Sequence, residues 1–161
     1  NSKLNCRLKG YENFSPKRVI LDKNLDIDLN TYIFKSSKKN NTIIFYNSEN
    51  KSKIEILTKK QIKLIKLKLN NKKRFDLKIV LKKLYSIGVR NLLVEGGDKI
   101  TKNMLKNRLI NEFYKFRSLK NLPKSRKFLI FTSSDILRST YKIKSKIGSN
   151  LAKDNITIYK R

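Results

Sequence analysis

The chain has 161 residues, 40 Lys or Arg against 12 Asp or Glu, one Cys, no His and no Trp. A chain of this length buries roughly two thirds of its unfolded surface and needs no disulfide or metal staple. Cys6 cannot close an intrachain disulfide, and without His or a second Cys the usual zinc sites, a Ser-His-Asp triad and a Cys-His pair are excluded.

No apolar run approaches the roughly 20 residues that span a bilayer, and no stretch reads as a signal peptide, so the expectation is a soluble, cytoplasmic chain without a membrane partner. Asn in first place adds the expectation of a piece cut from something longer. The net charge of +28 would attract any polyanion, which makes a basic nucleic-acid-binding module one alternative. Composition offers a plainer cause: Lys, Ile and Asn supply 68 residues while Ala occurs once, the skew of an A/T-rich coding sequence. No nucleic-acid motif or aromatic stacking set accompanies the charge, so a nucleic-acid partner is not expected.

In chain order, residues 18–21 and 42–46 are short apolar runs that predict buried strands. Residues 51–60 suit a short helix, and 62–69, with partial alternation, another strand. Asp76 followed by Leu77, Val80, Leu81 and Leu84 at helical spacing, with Gly88 beyond, predicts a helix over 77–87. The Leu92-Leu93-Val94 core of 89–95 predicts a strand buried on both faces. Gly96-Gly97 ends it, and Ile100, Met104 and Leu105 mark a short amphipathic helix. This alternation is that of an α/β sheet. Segments 113–117, 128–131, 141–147 and 155–159 then read as strands of an antiparallel edge. With no repeat, linker or composition break, 1–161 is expected to form a single domain.

Three places carry chemistry. Glu95-Gly96-Gly97 stands between the expected strand and a helix start, where paired glycines admit a close ligand. The amides over 98–101 then offer a phosphate site; the plainer alternative is a tight turn with an exposed glutamate. Asp22 follows the first strand, either pointing into a cleft or capping a nearby amide. Arg7 and Arg18 are two of nine arginines in a lysine-rich chain, and a guanidinium fork suits phosphate better than an ammonium. No metal ligand set is present.

Four stretches occur in a familiar order. Asn1-Ser2-Lys3-Leu4-Asn5-Cys6-Arg7 is similar to Asp-Asn-Pro-x-Leu-Thr-x-Arg, and Pro16-Lys17-Arg18-Val19-Ile20-Leu21-Asp22 to Pro-x-Arg-Val-Val-Leu-Asp. Residues 88–97 are similar to Gly-Val-x-Ser-Leu-Leu-Val-Glu-Gly-Gly, and Leu109-Ile110-Asn111-Glu112 to Leu-Val-Asp-Glu. On these the chain resembles the C-terminal reductase domain of the bacterial bifunctional riboflavin-biosynthesis deaminase/reductase, RibD. The resemblance implies a dihydrofolate-reductase-like α/β fold, a mostly parallel mixed sheet with an antiparallel edge and flanking helices, lacking its N-terminal strand and the deaminase domain.

It further implies NADPH-dependent reduction of the ribosyl group of 5-amino-6-(5-phosphoribosylamino)uracil to the ribityl compound. Carried over, Asp22 and Glu95 are the catalytic pair, and Arg7, Leu25, Asp26 and Glu95 contact substrate. Arg18, Asp22, Gly96, Gly97, Asp98, Lys99, Ile100 and Thr101 hold the cofactor. The implied partners are the phosphoribosylaminopyrimidine substrate, a fused deaminase domain and a second copy in a homodimer. Ser2 and Asn5 depart from the family's Pro and Thr, and 114–123 depart from its Ala-Pro-Lys-Leu-Leu-Gly-like stretch. A degenerate, non-catalytic relative kept as a scaffold is the other alternative.

Overall fold

The computed structural model describes residues 3–39, 41–118, 131–148 and 155–161. They form two compact units, Asn1–Gly88 and Val89–Arg161, a division that no composition break announces.

The first unit is built on β1 (Arg18–Leu21), β2 (Thr42–Tyr46) and β3 (Lys63–Lys66), a parallel sheet in the order β1-β2-β3. Parallel neighbours need crossovers, which α1 (Tyr32–Lys35) and α2 (Lys51–Lys59) supply. The central strand β2 is paired on both edges, and Thr42, Ile43, Ile44 and Phe45 are all buried. This is why its sequence is a continuous run rather than an alternation. Ile44 packs with Leu25, Leu57 and Ile62, and Ile20, Ile27 and Phe34 close around them. On β3 the basic side chains Lys63 and Lys66 are exposed while Ile65 is buried, so this edge strand turns its lysines to solvent.

Side-chain caps start the helices where the sequence places them. The Asn50 side chain accepts from the Lys53 amide at α2, and that of Asp76 from the Lys78 amide at α3 (Leu77–Ser86). Gly88, at φ 92°, takes the left-handed conformation expected past the end of α3.

The second unit contains α4 (Asp98–Lys106), β4 (Glu112–Arg117), α5 (Ser134–Thr140), β5 (Lys142–Gly148) and β6 (Asn155–Lys160). The three strands are antiparallel in the order β4-β6-β5, with a register shift between Ile143 and Ser145. Leu105 from α4, Leu137 from α5, Tyr141 and Tyr159 form the core, with Ile110, Phe113, Phe131 and Ile136 against it. The Tyr141 hydroxyl donates to the Ile110 carbonyl at 3.1 Å, so its polar end is satisfied inside an apolar cluster. The mixed α/β class is thus present, its parallel and antiparallel pairings in separate three-stranded sheets. Among the described residues no helix is long and apolar enough to cross a membrane.

Two expectations are corrected. Residues 89–97 carry no regular secondary structure, and Leu93 is 81% exposed, with Leu92 and Val94 also exposed. An apolar run becomes a buried strand only where neighbours pair with its edges and cover its faces, and neither sheet includes this one. The antiparallel region also contains α5, which was not expected although Ser133-Ser134-Asp135 before Ile136 and Leu137 is a helix-start pattern. Of the strand expected over 128–131, residues 128–130 lie outside the described residues, and Phe131 is not in a strand.

Truncating the central strand tests this packing. Ile44→Ala is expected to cost about 2–5 kcal/mol of unfolding free energy, read as a lower urea midpoint at unchanged slope. An unchanged midpoint would contradict the position of Ile44 in the core.

Candidate functional site

In the first unit, Arg18 opens β1 with its guanidinium buried. One terminal nitrogen donates to Ser36 Oγ at 2.7 Å, and the other to the Ser36 carbonyl at 3.2 Å and Thr42 Oγ1 at 2.9 Å. Among the described residues no carboxylate pairs with it, and burial lowers its pKa from the ordinary value. Arg18 therefore ties the end of α1 to β1 and β2, and its fork is occupied by protein oxygens.

Asp22 stands directly after β1, as the apolar run predicts. Its Oδ1 accepts from the Asp26 amide at 2.9 Å and its Oδ2 from the Ile27 amide at 2.8 Å. Both oxygens thus fold the following loop back on the strand end, the capping alternative of the sequence reading. In that loop Leu25 sits at φ 61°, and its side chain, 3% exposed, is spent on the core. Asp26 is exposed and accepts from the Asn24 side chain at 3.0 Å. Arg7 is exposed, while the neighbouring Cys6 amide donates to Ser15 Oγ at 3.2 Å and fixes the local chain.

In the second unit, Glu95 is exposed and does not end a strand. Gly96 and Gly97 lead into α4 and do different work. A Cβ on Gly96 would lie 2.9 Å from Ile100 Cγ2 and 3.0 Å from Ile100 Cβ, so the first glycine is required by the helix's own packing. A Cβ on Gly97 would meet nothing within 4 Å. That leaves an open cradle at the N-cap position, where the Gly97 carbonyl accepts from Ile100 and Thr101 amides, each at 3.1 Å. As N-cap of α4, Gly97 has no side chain with which to cap it. An uncapped helix start with open space over its glycine fits a phosphate-bearing cofactor, because the first-turn amides need acceptors and the dipole favours an anion. Asp98, Lys99, Ile100 and Thr101 all lie in that turn, Lys99 exposed and the Thr101 hydroxyl 3.4 Å from the Gly96 carbonyl.

Sequence reading missed one contact here. Thr132 donates its amide to Asp98 Oδ1 at 3.0 Å and its hydroxyl to Oδ2 at 2.8 Å. The two residues are 34 positions apart, and no local pattern links them. Next to Thr132, Ser133 is fully buried. Asp22 and Arg18 belong to one unit and Glu95 and the glycines to the other; each set is built locally as described.

The chain is of mixed α/β class, and its second unit has a glycine-led helix start suited to phosphate. The model of the RibD C-terminal domain matches residues 1–116, and the chain belongs to that family. The riboflavin biosynthesis protein RibD of Aquifex aeolicus is 29% identical over 150 residues, covering 91% of this chain and 39% of the relative. RibD of Actinobacillus pleuropneumoniae is 28% identical over 114 residues, 71% of this chain and 30% of the relative. The chain thus spans 39% or less of the length of these curated relatives. Among solved structures, Acinetobacter baumannii RibD superposes with a TM-score of 0.71 at 19% identity, over 99% of this chain and 42% of that one. A pyrimidine reductase-like protein from Corynebacterium diphtheriae gives 0.68 at 16%, over 91% and 61% respectively. At these identities the superpositions establish the fold.

Two predictions follow from the turn. Gly96→Ala is expected to destabilise by about 1–3 kcal/mol through the clash with Ile100, whereas Gly97→Ala loses less than about 1 kcal/mol; thermal melts of both variants decide. The Thr132 hydroxyl, then its amide, hold the Asp98 carboxyl below its ordinary 3.8. Its stabilisation is therefore complete above that value and is lost as pH falls through the lower folded-state value. Thr132→Val is expected to move the Asp98 titration upward in carboxyl NMR, and an unmoved curve would contradict the contact.

Proposed function

We propose that the chain is the reductase portion of a riboflavin-pathway enzyme that uses NADPH to reduce the ribosyl group of 5-amino-6-(5-phosphoribosylamino)uracil to the ribityl compound. The observation that carries this reading is the family match over residues 1–116, with Glu95-Gly96-Gly97 standing immediately before α4. When bound, the nicotinamide supplies a hydride for the sugar's C1′.

The chain's own residues bind and orient. Gly97 leaves room for the cofactor diphosphate, and the first turn of α4 offers it amides and a positive dipole end. Arg7, exposed and planar, holds the substrate phosphate by paired charge-assisted hydrogen bonds. Glu95, exposed beside the glycines, contacts the substrate. Asp22 contributes by shaping the loop at the end of β1, since its carboxylate holds the Asp26 and Ile27 amides. The proposed setting is a cytoplasmic homodimer in which a deaminase domain is fused to this one, in keeping with the greater length of the curated relatives.

The test is NADPH oxidation by the full-length chain with the pathway substrate. Arg7→Ala is expected to lower kcat/KM by roughly 10–100-fold, mainly through KM, because one charged hydrogen-bonding partner of the phosphate is lost. Glu95→Gln is expected to lower it as well. An unsubstituted chain that turns over nothing and binds neither ligand refutes the reading.

A further inference from the structure

We infer that the outward face of the β4-β6-β5 sheet binds single-stranded nucleic acid, with Tyr114 and Phe116 stacking on its bases. Phe113 on β4 lies opposite Tyr159 on β6, and both pack in the core of the second unit, which marks the covered face of the sheet. Successive side chains on a strand point to opposite faces. Tyr114 opposite Ile158, and Phe116 opposite Ile156 with Ile147 beyond it on β5, therefore share the other face. An antiparallel sheet that meets water on one side is ordinarily polar there. Here Phe116 is 69% exposed and Tyr114 49%.

Charge selects the occupant. The three strands hold Lys115, Arg117, Lys142, Lys144, Lys146 and Lys160 against a single carboxylate, Glu112, and all of these cations except Lys115 are exposed. Glu112 is already engaged: it pairs with Lys160 at 3.0 Å and accepts from the Tyr114 hydroxyl at 2.9 Å, which also steadies the Tyr114 ring. A second copy would bring the same cations to the face and be repelled, whereas a polyanion brings the complementary charge. Composition accounts for the number of lysines. It does not account for two aromatic rings left in water about 7 Å apart along one strand, in a stretch that departs from the family pattern. Every base has a flat face on which a ring can stack, and a duplex hides those faces, so the ligand is single-stranded. In the sequence the two rings stand beside Phe113, and only the strand register separates the exposed rings from the packed one.

This binding is separate from the reductase reading and is measured without NADPH. The probes are labelled oligothymidylate and oligouridylate of about 12 nucleotides and a DNA duplex of the same length, titrated with the full-length chain by fluorescence anisotropy. Phe116→Leu and Tyr114→Leu keep apolar bulk and remove a ring; each is expected to weaken single-strand binding about tenfold. Tyr114→Phe, which keeps the ring, is expected to stay within about twofold. None of these changes a cation, so affinity for the duplex, carried by its phosphates, is expected to hold in all three. Thermal melts confirm that each variant is folded, and the ratio of the two single-strand affinities assigns the ligand to RNA or DNA. Single-strand binding that both Leu variants retain, or that is no tighter than duplex binding, shows attraction by overall charge alone and overturns the inference. A dimer in sedimentation that the Leu variants weaken, with oligonucleotide affinity unaltered, overturns it too and gives the face to a second copy.

Discussion

The contact between Gly96 and Ile100 governs the candidate site. With no Cβ on Gly96, the Ile100 side chain closes over the backbone where a Cβ would come within 2.9 Å of it. The chain can then enter α4 at once from an irregular segment. That entry leaves Gly97 as the N-cap with open space above it and places Asp98 within reach of Thr132. The two glycines look equivalent in the sequence and are not: one is needed for internal packing, the other leaves space outside. A β-branched residue such as Ile100 has few rotamers with which to yield, so the first glycine is the less replaceable.

The first unit depends on a different device. Among the described residues its buried cation, Arg18, pairs with no carboxylate and is instead spread over the Ser36 hydroxyl and carbonyl at the end of α1 and the Thr42 hydroxyl at the start of β2. Burying a guanidinium is costly unless its donors find acceptors, and Ser36 and Thr42 supply three. Asp22 does the complementary job at the other end of β1, taking two loop amides. Both residues were expected at the cofactor, and in this unit both carry local structure. A side chain of either type suits a ligand and a backbone equally well, because the same donors and acceptors serve both.

Much of this was legible in the chain. The run at 42–46, the Asp76 cap, the left-handed Gly88 and the glycine pair before α4 all act through near neighbours in sequence, and the structure shows each of them. The four family stretches were legible for the same reason, each being a short contiguous string. Thr132 was not, since its partner lies 34 residues away and neither residue signals the other. Leu25 shows the same limit, since its left-handed loop position and its place in the core are not announced by residue type.

By itself the sequence determined the element types over much of the chain, the starts of α2, α3 and α4 and the family, all of which rest on local propensity, spacing and contiguous motifs. Only the tertiary structure decided which apolar run is buried. Ile43, Ile44 and Phe45 lie between two paired strands, while Leu92, Leu93 and Val94, equally apolar, are exposed without a ladder. It also decided where Asp98 and Asp22 direct their oxygens. The physical reason is the same in each case: burial and hydrogen-bond choice belong to the surroundings of a residue, and those surroundings come from distant parts of the chain.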